Sequence, residues 1–229
     1  MTPSLRPLLH SSPLRRRTLL LAATGAATVL ATACGRKPAK TQPIPSGATV
    51  LALGDSLTWG TGAGTQDAYP AVLQELTGWH VVNAGISGNT AAQALERLPG
   101  LMAEHDPALV ILCTGGNDFL RRQSASATQA TIRRTVQAIQ AARVPVLLVA
   151  VPQFSVIAAA GGPLSDHPLY EELADELNVA VYSGGWSEVL GDARLRSDAV
   201  HANAAGYRRF AEGLAQRLRV AGWLRTPQS

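Results

Sequence analysis

Ala48-Thr49-Val50-Leu51-Ala52-Leu53, followed at once by Gly54-Asp55-Ser56, decides how this chain is read. Six mostly aliphatic residues without polar alternation describe a strand covered on both faces, and the small polar tripeptide describes a turn at its carboxyl end. Four further runs of this kind follow, at residues 80–84, 108–114, 144–151 and 179–182. Between them apolar residues recur at helical spacing: Tyr69, Val72, Leu73 and Leu76; Ile132, Val136 and Ile139; Tyr207, Phe210 and Leu214. Pro99-Gly100 interrupts the segment 91–104 and predicts a kink or two short helices there. Strand–helix alternation predicts an α/β fold, a doubly wound parallel sheet with helices on both faces. Roughly 180 residues of such a pattern suffice for one well-buried core.

Composition narrows the classes. Of 229 residues, 46% are hydrophobic and 16% charged, which excludes a charge-swollen disordered chain. The net charge of +4 lies wholly in Arg6, Arg15, Arg16 and Arg17, a stretch with no acidic residue. From Cys34 onward basic and acidic residues balance, so no nucleic-acid partner is expected. Cys34 and Cys113 are the only cysteines, too few for a disulfide framework or a multi-cysteine zinc site.

Residues 1–33 read as an export signal, residues 34–47 as a Pro/Gly-rich tether with nothing to pack, and residues 48–225 as the folded domain. The arginine cluster precedes an apolar run too short and too broken for a spanning helix. Arg16-Arg17-Thr18-Leu19-Leu20 resembles a twin-arginine motif, and general secretion fits equally well. Leu30-Ala31-Thr32-Ala33-Cys34-Gly35 resembles a lipobox, with Ala31 where a larger aliphatic residue is usual. Acylation of Cys34 and ordinary cleavage near Ala33 both stand as readings. Acyl chains on Cys34 would tether the protein to a membrane, each buried methylene adding ~0.8 kcal/mol. The expected location is exported, either periplasmic or membrane-anchored.

In open parallel sheets chemistry sits beyond the carboxyl ends of the strands. Those ends carry Gly54-Asp55-Ser56, Asn83-Ala84-Gly85-Ile86-Ser87-Gly88-Asn89 and Gly115-Gly116-Asn117-Asp118, and Asp198-Ala199-Val200-His201 precedes the last helix. Acyl transfer needs a nucleophile, a base, an orienting carboxylate and donors for an oxyanion. Ser56, His201 and Asp198 can fill the first three roles. The amides of Ser56 and Gly88 and the carboxamide of Asn117 can supply the donors. Each piece also has a plainer account: a capped turn at residues 54–56, a positive-φ glycine at Gly88, a local turn at His201 with Asn203 as helix cap. His80, His105 and His167 read as strand edge, helix end and loop, and Cys113 as a core residue. Trp59 reads as pocket lining or packing. A metal-dependent phosphoesterase built on Asp55, Asp118, Asp198 and His201 would require these ligands to cluster.

The four blocks stand in the order of the SGNH hydrolases, the GDSL esterase/lipase superfamily, and the chain resembles the bacterial branch of arylesterases, acyl thioesterases and lysophospholipases. The resemblance spans about residues 49–218 and implies a three-layer fold around a five-stranded parallel sheet of flavodoxin-like order. It implies Ser56 as nucleophile, His201 as general base, Asp198 as the residue orienting it, and Gly88 and Asn117 completing the oxyanion hole, with no cofactor and no metal. The implied reaction is hydrolysis of small-molecule or lipid carboxylic esters, thioesters included, through an acyl-enzyme. The rival readings are a carbohydrate O-deacetylase acting on envelope or extracellular polysaccharide and a non-catalytic binding module. The loops at 119–124 and 152–168 are expected at the pocket mouth.

Overall fold

The computed structural model describes residues 42–153 and 163–225. In chain order the elements are β1 (Thr49–Gly54), α1 (Ser56–Trp59), α2 (Tyr69–Thr77), β2 (His80–Gly85), α3 (Ala91–His105), β3 (Leu109–Cys113), α4 (Gly116–Leu120) and α5 (Ala125–Ala141). They continue with β4 (Val146–Val149), α6 (Leu169–Leu177), β5 (Ala180–Tyr182), α7 (Gly185–Gly191) and α8 (Ala204–Val220). The strands form one parallel sheet in the order β2-β1-β3-β4-β5, the flavodoxin-like arrangement. Right-handed crossovers then put α2 on one face and α3, α5 and α6 on the other. The pairings agree: α2 packs on α8, and α5 packs on both α3 and α6. Every residue of β3 is buried, as is β1 after Thr49, which explains their unbroken apolar runs.

All five predicted strands are present, with β4 shorter than its apolar run. The break expected at Pro99 is absent: α3 runs unbroken through it. Pro99 and Gly100 face solvent, while Ala91, Ala94 and Leu98 are buried on the inner side. Water can therefore satisfy the carbonyl that proline leaves unpaired, and the buried face holds the helix together. Thr90 and Gln93 close the start of α3 as a reciprocal capping box.

The strand register sets up everything at the carboxyl edge. Gly54 of β1 stands opposite Gly85 of β2 and Cys113 of β3. Ser56, Gly88 and Asn117 follow that aligned row by only a few residues each, so three distant blocks are delivered to one place. The two glycines allow α1 to fold tightly over the strand ends. A Cβ on Gly54 would collide with the Thr58 side chain and the Cys113 carbonyl, and one on Gly85 with the Trp59 backbone.

At the opposite edge, one expectation fails. The reading of residues 34–47 as having nothing to pack does not hold for Ile44, whose side chain is buried in the core. Its amide donates to the Trp223 carbonyl at 2.8 Å, and its carbonyl accepts from the indole of buried Trp79 at 3.3 Å. A lone isoleucine among prolines carries no periodicity, so only the tertiary partners disclose it. Ile44→Ala should lower unfolding stability by about 2 kcal/mol, the lower end for truncating a buried isoleucine, because the site lies at the core's margin. Urea unfolding measures this, and turnover should be unchanged.

Candidate active site

Ser56 opens α1 directly after β1. The Leu57 amide donates to Asp55 Oδ1 at 3.0 Å, so the Asp55 side chain caps this single turn and fixes where Ser56 points. His201 arrives from 145 residues away, on the segment between α7 and α8, with its Nε2 3.0 Å from Ser56 Oγ. Its Nδ1 lies 2.8 Å from Asp198 Oδ2. The other Asp198 oxygen accepts the amides of Val200 and His201, each at 2.8 Å. Because a carboxylate only accepts, Nδ1 carries the ring proton and Nε2 is free to accept from the Ser56 hydroxyl.

That segment is held from several sides. The Ser197 amide donates to the His201 carbonyl at 2.9 Å, and Asn203 caps α8 by accepting from the Gly206 amide at 3.0 Å. The Tyr207 hydroxyl donates to the Thr61 carbonyl at 2.8 Å, tying α8 to the loop that follows Ser56. Partial burial pushes the Asp198 carboxyl up, but the His201 ring and the two amides together outweigh it and hold the group below its ordinary value.

Ser56, Gly88, Asn117 and His201 all line one open cavity of about 280 Å³. Gly88 has φ +81° in a turn closed by the Asn89 amide donating to the Ile86 carbonyl, so the turn reading and the site reading of this glycine describe one position. The Asn117 carboxamide donates to the Asn89 carbonyl at 3.0 Å, which places its nitrogen toward the Gly88 loop. Leu120, Val151, Pro152, Leu190 and Val200 make the cavity's apolar side. A hydroxyl, an imidazole, a carboxylate and amide donors around such a cleft can carry out nucleophilic acyl transfer.

The remaining sequence candidates are placed as follows. Asp118 is buried and accepts the Ala91 amide at 2.9 Å, joining α4 to the start of α3. Among the described residues, no three histidine, cysteine or acidic side chains group closely enough to hold a metal ion. Cys113 is buried within β3, where desolvation pushes its thiol up. Trp59 fulfils neither reading: it is 57% exposed and does not line the cavity. Ile86 and Leu120 are exposed, and Leu120 lines the cleft. His167, read as an ordinary loop residue, stacks on Phe119 with centroids 4.6 Å apart. No spacing in the sequence links those two. Cys34 and residues 154–162 of the expected pocket mouth lie outside the described residues.

Asp55 sits between the core and Ser56. Burial pushes its carboxyl up to about 6 from 3.8, against the opposing hydrogen bond from Leu57 and the field of His201. A carboxyl whose folded value is raised costs stability once ionised above that value, and the cost disappears as pH falls toward the unfolded value. Asp55→Asn should therefore gain stability relative to the parent between pH 4 and pH 8. The gain should reach up to roughly 3 kcal/mol, the free-energy equivalent of a carboxyl raised from 3.8 to about 6. Urea unfolding of both proteins at the two pH values measures it.

Known proteins share this architecture. The model of the family described as "GDSL-like Lipase/Acylhydrolase family" matches residues 52–209. The chain is 34% identical over 177 residues to thioesterase 1/protease 1/lysophospholipase L1 of Escherichia coli strain K12, covering 74% of this chain and 83% of that protein. It is 28% identical over 177 residues to an arylesterase of Vibrio mimicus, covering 74% and 87%. Among solved structures, that of TesA superposes with a TM-score of 0.67 at 30% identity, covering 75% of this chain and 98% of the other. With the family match spanning more than half of its length and the fold shared, this chain belongs to the GDSL-like lipase/acylhydrolase family, the SGNH hydrolases, and is a serine hydrolase of ester bonds.

Proposed function

We propose that Ser56 is the nucleophile, His201 the general base and acid, and Asp198 the carboxylate that holds the imidazole in its working tautomer. Ser56 Oγ attacks the ester carbonyl while its proton passes to His201 Nε2. The oxyanion so formed is received by the amides of Ser56 and Gly88 and by the Asn117 carboxamide. His201 then protonates the leaving alcohol or thiol, the acyl-enzyme forms on Ser56, and a water deprotonated by His201 releases the acid. The observation that carries the reading is the unbroken chain Ser56 Oγ, His201 Nε2, His201 Nδ1, Asp198 Oδ2, with links of 3.0 and 2.8 Å. The depressed Asp198 carboxyl supports it further, because the imidazolium formed in each step needs an ionised partner.

The substrate we infer is an ester or thioester of a short-to-medium acyl chain. Its acyl part would lie along Leu120, Val151, Pro152, Leu190 and Val200, which line the same cleft as the polar donors. The thioesterase, lysophospholipase and arylesterase named among the similar proteins support the same class. The arginine-led apolar leader supports action outside the cytoplasm, with Cys34 the candidate for acylation. Radiolabelled palmitate appearing in the full chain, and disappearing with Cys34→Ala, would identify the anchored form.

Ser56→Ala and His201→Ala should each lose several orders of magnitude in kcat on p-nitrophenyl acetate, and Asn117→Ala about 10²–10³-fold. Full activity in Ser56→Ala would overturn the assignment. A series of p-nitrophenyl esters from two to twelve carbons, run beside acetylated sugars, should show kcat/KM highest within the acyl series. The sugars should be the poorer substrates.

A further inference from the structure

Arg97 lies in the second turn of α3 and belongs to no motif of the site. It is half-buried, and desolvation lowers its guanidinium from the ordinary value. Among the described residues it forms no ion pair. Its donors are instead spread over three acceptors at the carboxyl edge of the sheet. Nε donates to Asn89 Oδ1 at 3.1 Å, Nη1 to the Ala84 carbonyl at 3.0 Å, and Nη2 to the Gly54 carbonyl at 3.3 Å. Gly54 leads into Ser56, and Ala84 leads into the loop bearing Gly88. Asn89 is the residue whose own carbonyl receives the Asn117 carboxamide at 3.0 Å.

We propose that Arg97 is a positioning residue for ester hydrolysis, acting through Asn89 to hold the Asn117 donor at a fixed place relative to the strand that carries Ser56. The inference rests on the role given to Asn117 under the proposed function. The reasoning is geometric. A carboxamide on a side chain has two rotatable bonds, and a donor helps an oxyanion only when it is already aimed before charge develops. Asn117 takes its aim from the Asn89 carbonyl, and the Gly88–Asn89 turn is a loop with no ladder of its own. The guanidinium fork supplies what the loop lacks: one rigid planar group that bonds the loop and two strand ends together. A lysine ammonium, a point charge on a flexible stem, cannot span the same three acceptors. A guanidinium taken partly out of water and spent on neutral carbonyls costs stability that an apolar residue at the helix–sheet contact would not, which fits a role beyond packing.

The test is a double-mutant cycle in the purified full-length chain, with p-nitrophenyl acetate as substrate and kcat and KM measured separately. Arg97→Ala should lower kcat about 10- to 100-fold with KM nearly constant, as expected when a donor is misplaced rather than removed. Arg97→Lys should leave most of that loss in place. Asn89→Ala, which removes the acceptor of Nε but keeps the carbonyl that Asn117 uses, should lower kcat in the same sense and covers the case in which Arg97→Ala fails to fold. The decisive comparison is with Asn117→Ala. Adding Arg97→Ala or Asn89→Ala to it should cost no more than about 3-fold further, because the group they aim is gone.

Losses that multiply in the double variants, wild-type kcat in Arg97→Lys, or single variants that lower the unfolding temperature while keeping kcat would each overturn the proposal. If Asn117→Ala alone keeps full kcat, the oxyanion reading itself fails, a result distinct from additivity in the cycle.

Discussion

The site depends on the register of three strands. Parallel pairing of β1 between β2 and β3 sets Gly54, Gly85 and Cys113 side by side, and the chain leaves each strand at the same level. A slip of one residue would invert every side chain of a strand whose two faces are both buried, so the aliphatic packing enforces this alignment. The geometry of the candidate site is thereby tied to core packing. The hydroxyl, the amide and the carboxamide need no long loops to meet, because the hydrophobic effect has already brought their strands into line. The imidazole and its Asp198 partner come from outside the sheet, and their segment needs its own hydrogen-bonded turn, a helix cap and the Tyr207 tie from α8 to Thr61.

Two carboxyls near Ser56 are driven in opposite directions by their surroundings. Asp198, half-exposed and bonded to two amides and a ring nitrogen, is kept ionised. Asp55, enclosed and with a single amide donor, is pushed toward its neutral form. The first would, on the proposed mechanism, support the charge that forms on the imidazole during each transfer, and the second caps the turn that carries Ser56. Tolerating a strained ionisation at Asp55 costs stability, and it lies where the capped turn requires an oxygen acceptor next to the serine. Such a local cost beside a reactive group is a common mark of a functional site.

Much of this is legible in the sequence because the buried strands are continuous apolar runs and the polar blocks fall where they end. The α/β alternation, all five strands and the residues that meet at the cleft follow from those two patterns. Pro99 misleads because a breaker rule ignores which face the proline occupies; on the solvent side of a well-packed helix it is accommodated. Ile44 escapes for the opposite reason, since a single apolar residue in a proline-rich stretch has no period to betray it. Arg97 looks like any charged residue on an amphipathic helix, and only its acceptors distinguish it. The Phe119–His167 stack joins a short helix to a loop residue 48 positions away, a relation no local pattern encodes.

Ile44 carries a last consequence. It is fastened to Trp79, just before β2, and to Trp223 near the end of the described chain, both at the edge where strands begin. The cleft opens at the edge where strands finish. The described backbone therefore enters the domain at its underside, where Ile44 is held by the Trp79 indole and the Trp223 carbonyl, away from the serine turn. The cleft and this junction thus lie at opposite edges of one sheet, so what holds Ile44 in place leaves the mouth of the cleft uncovered.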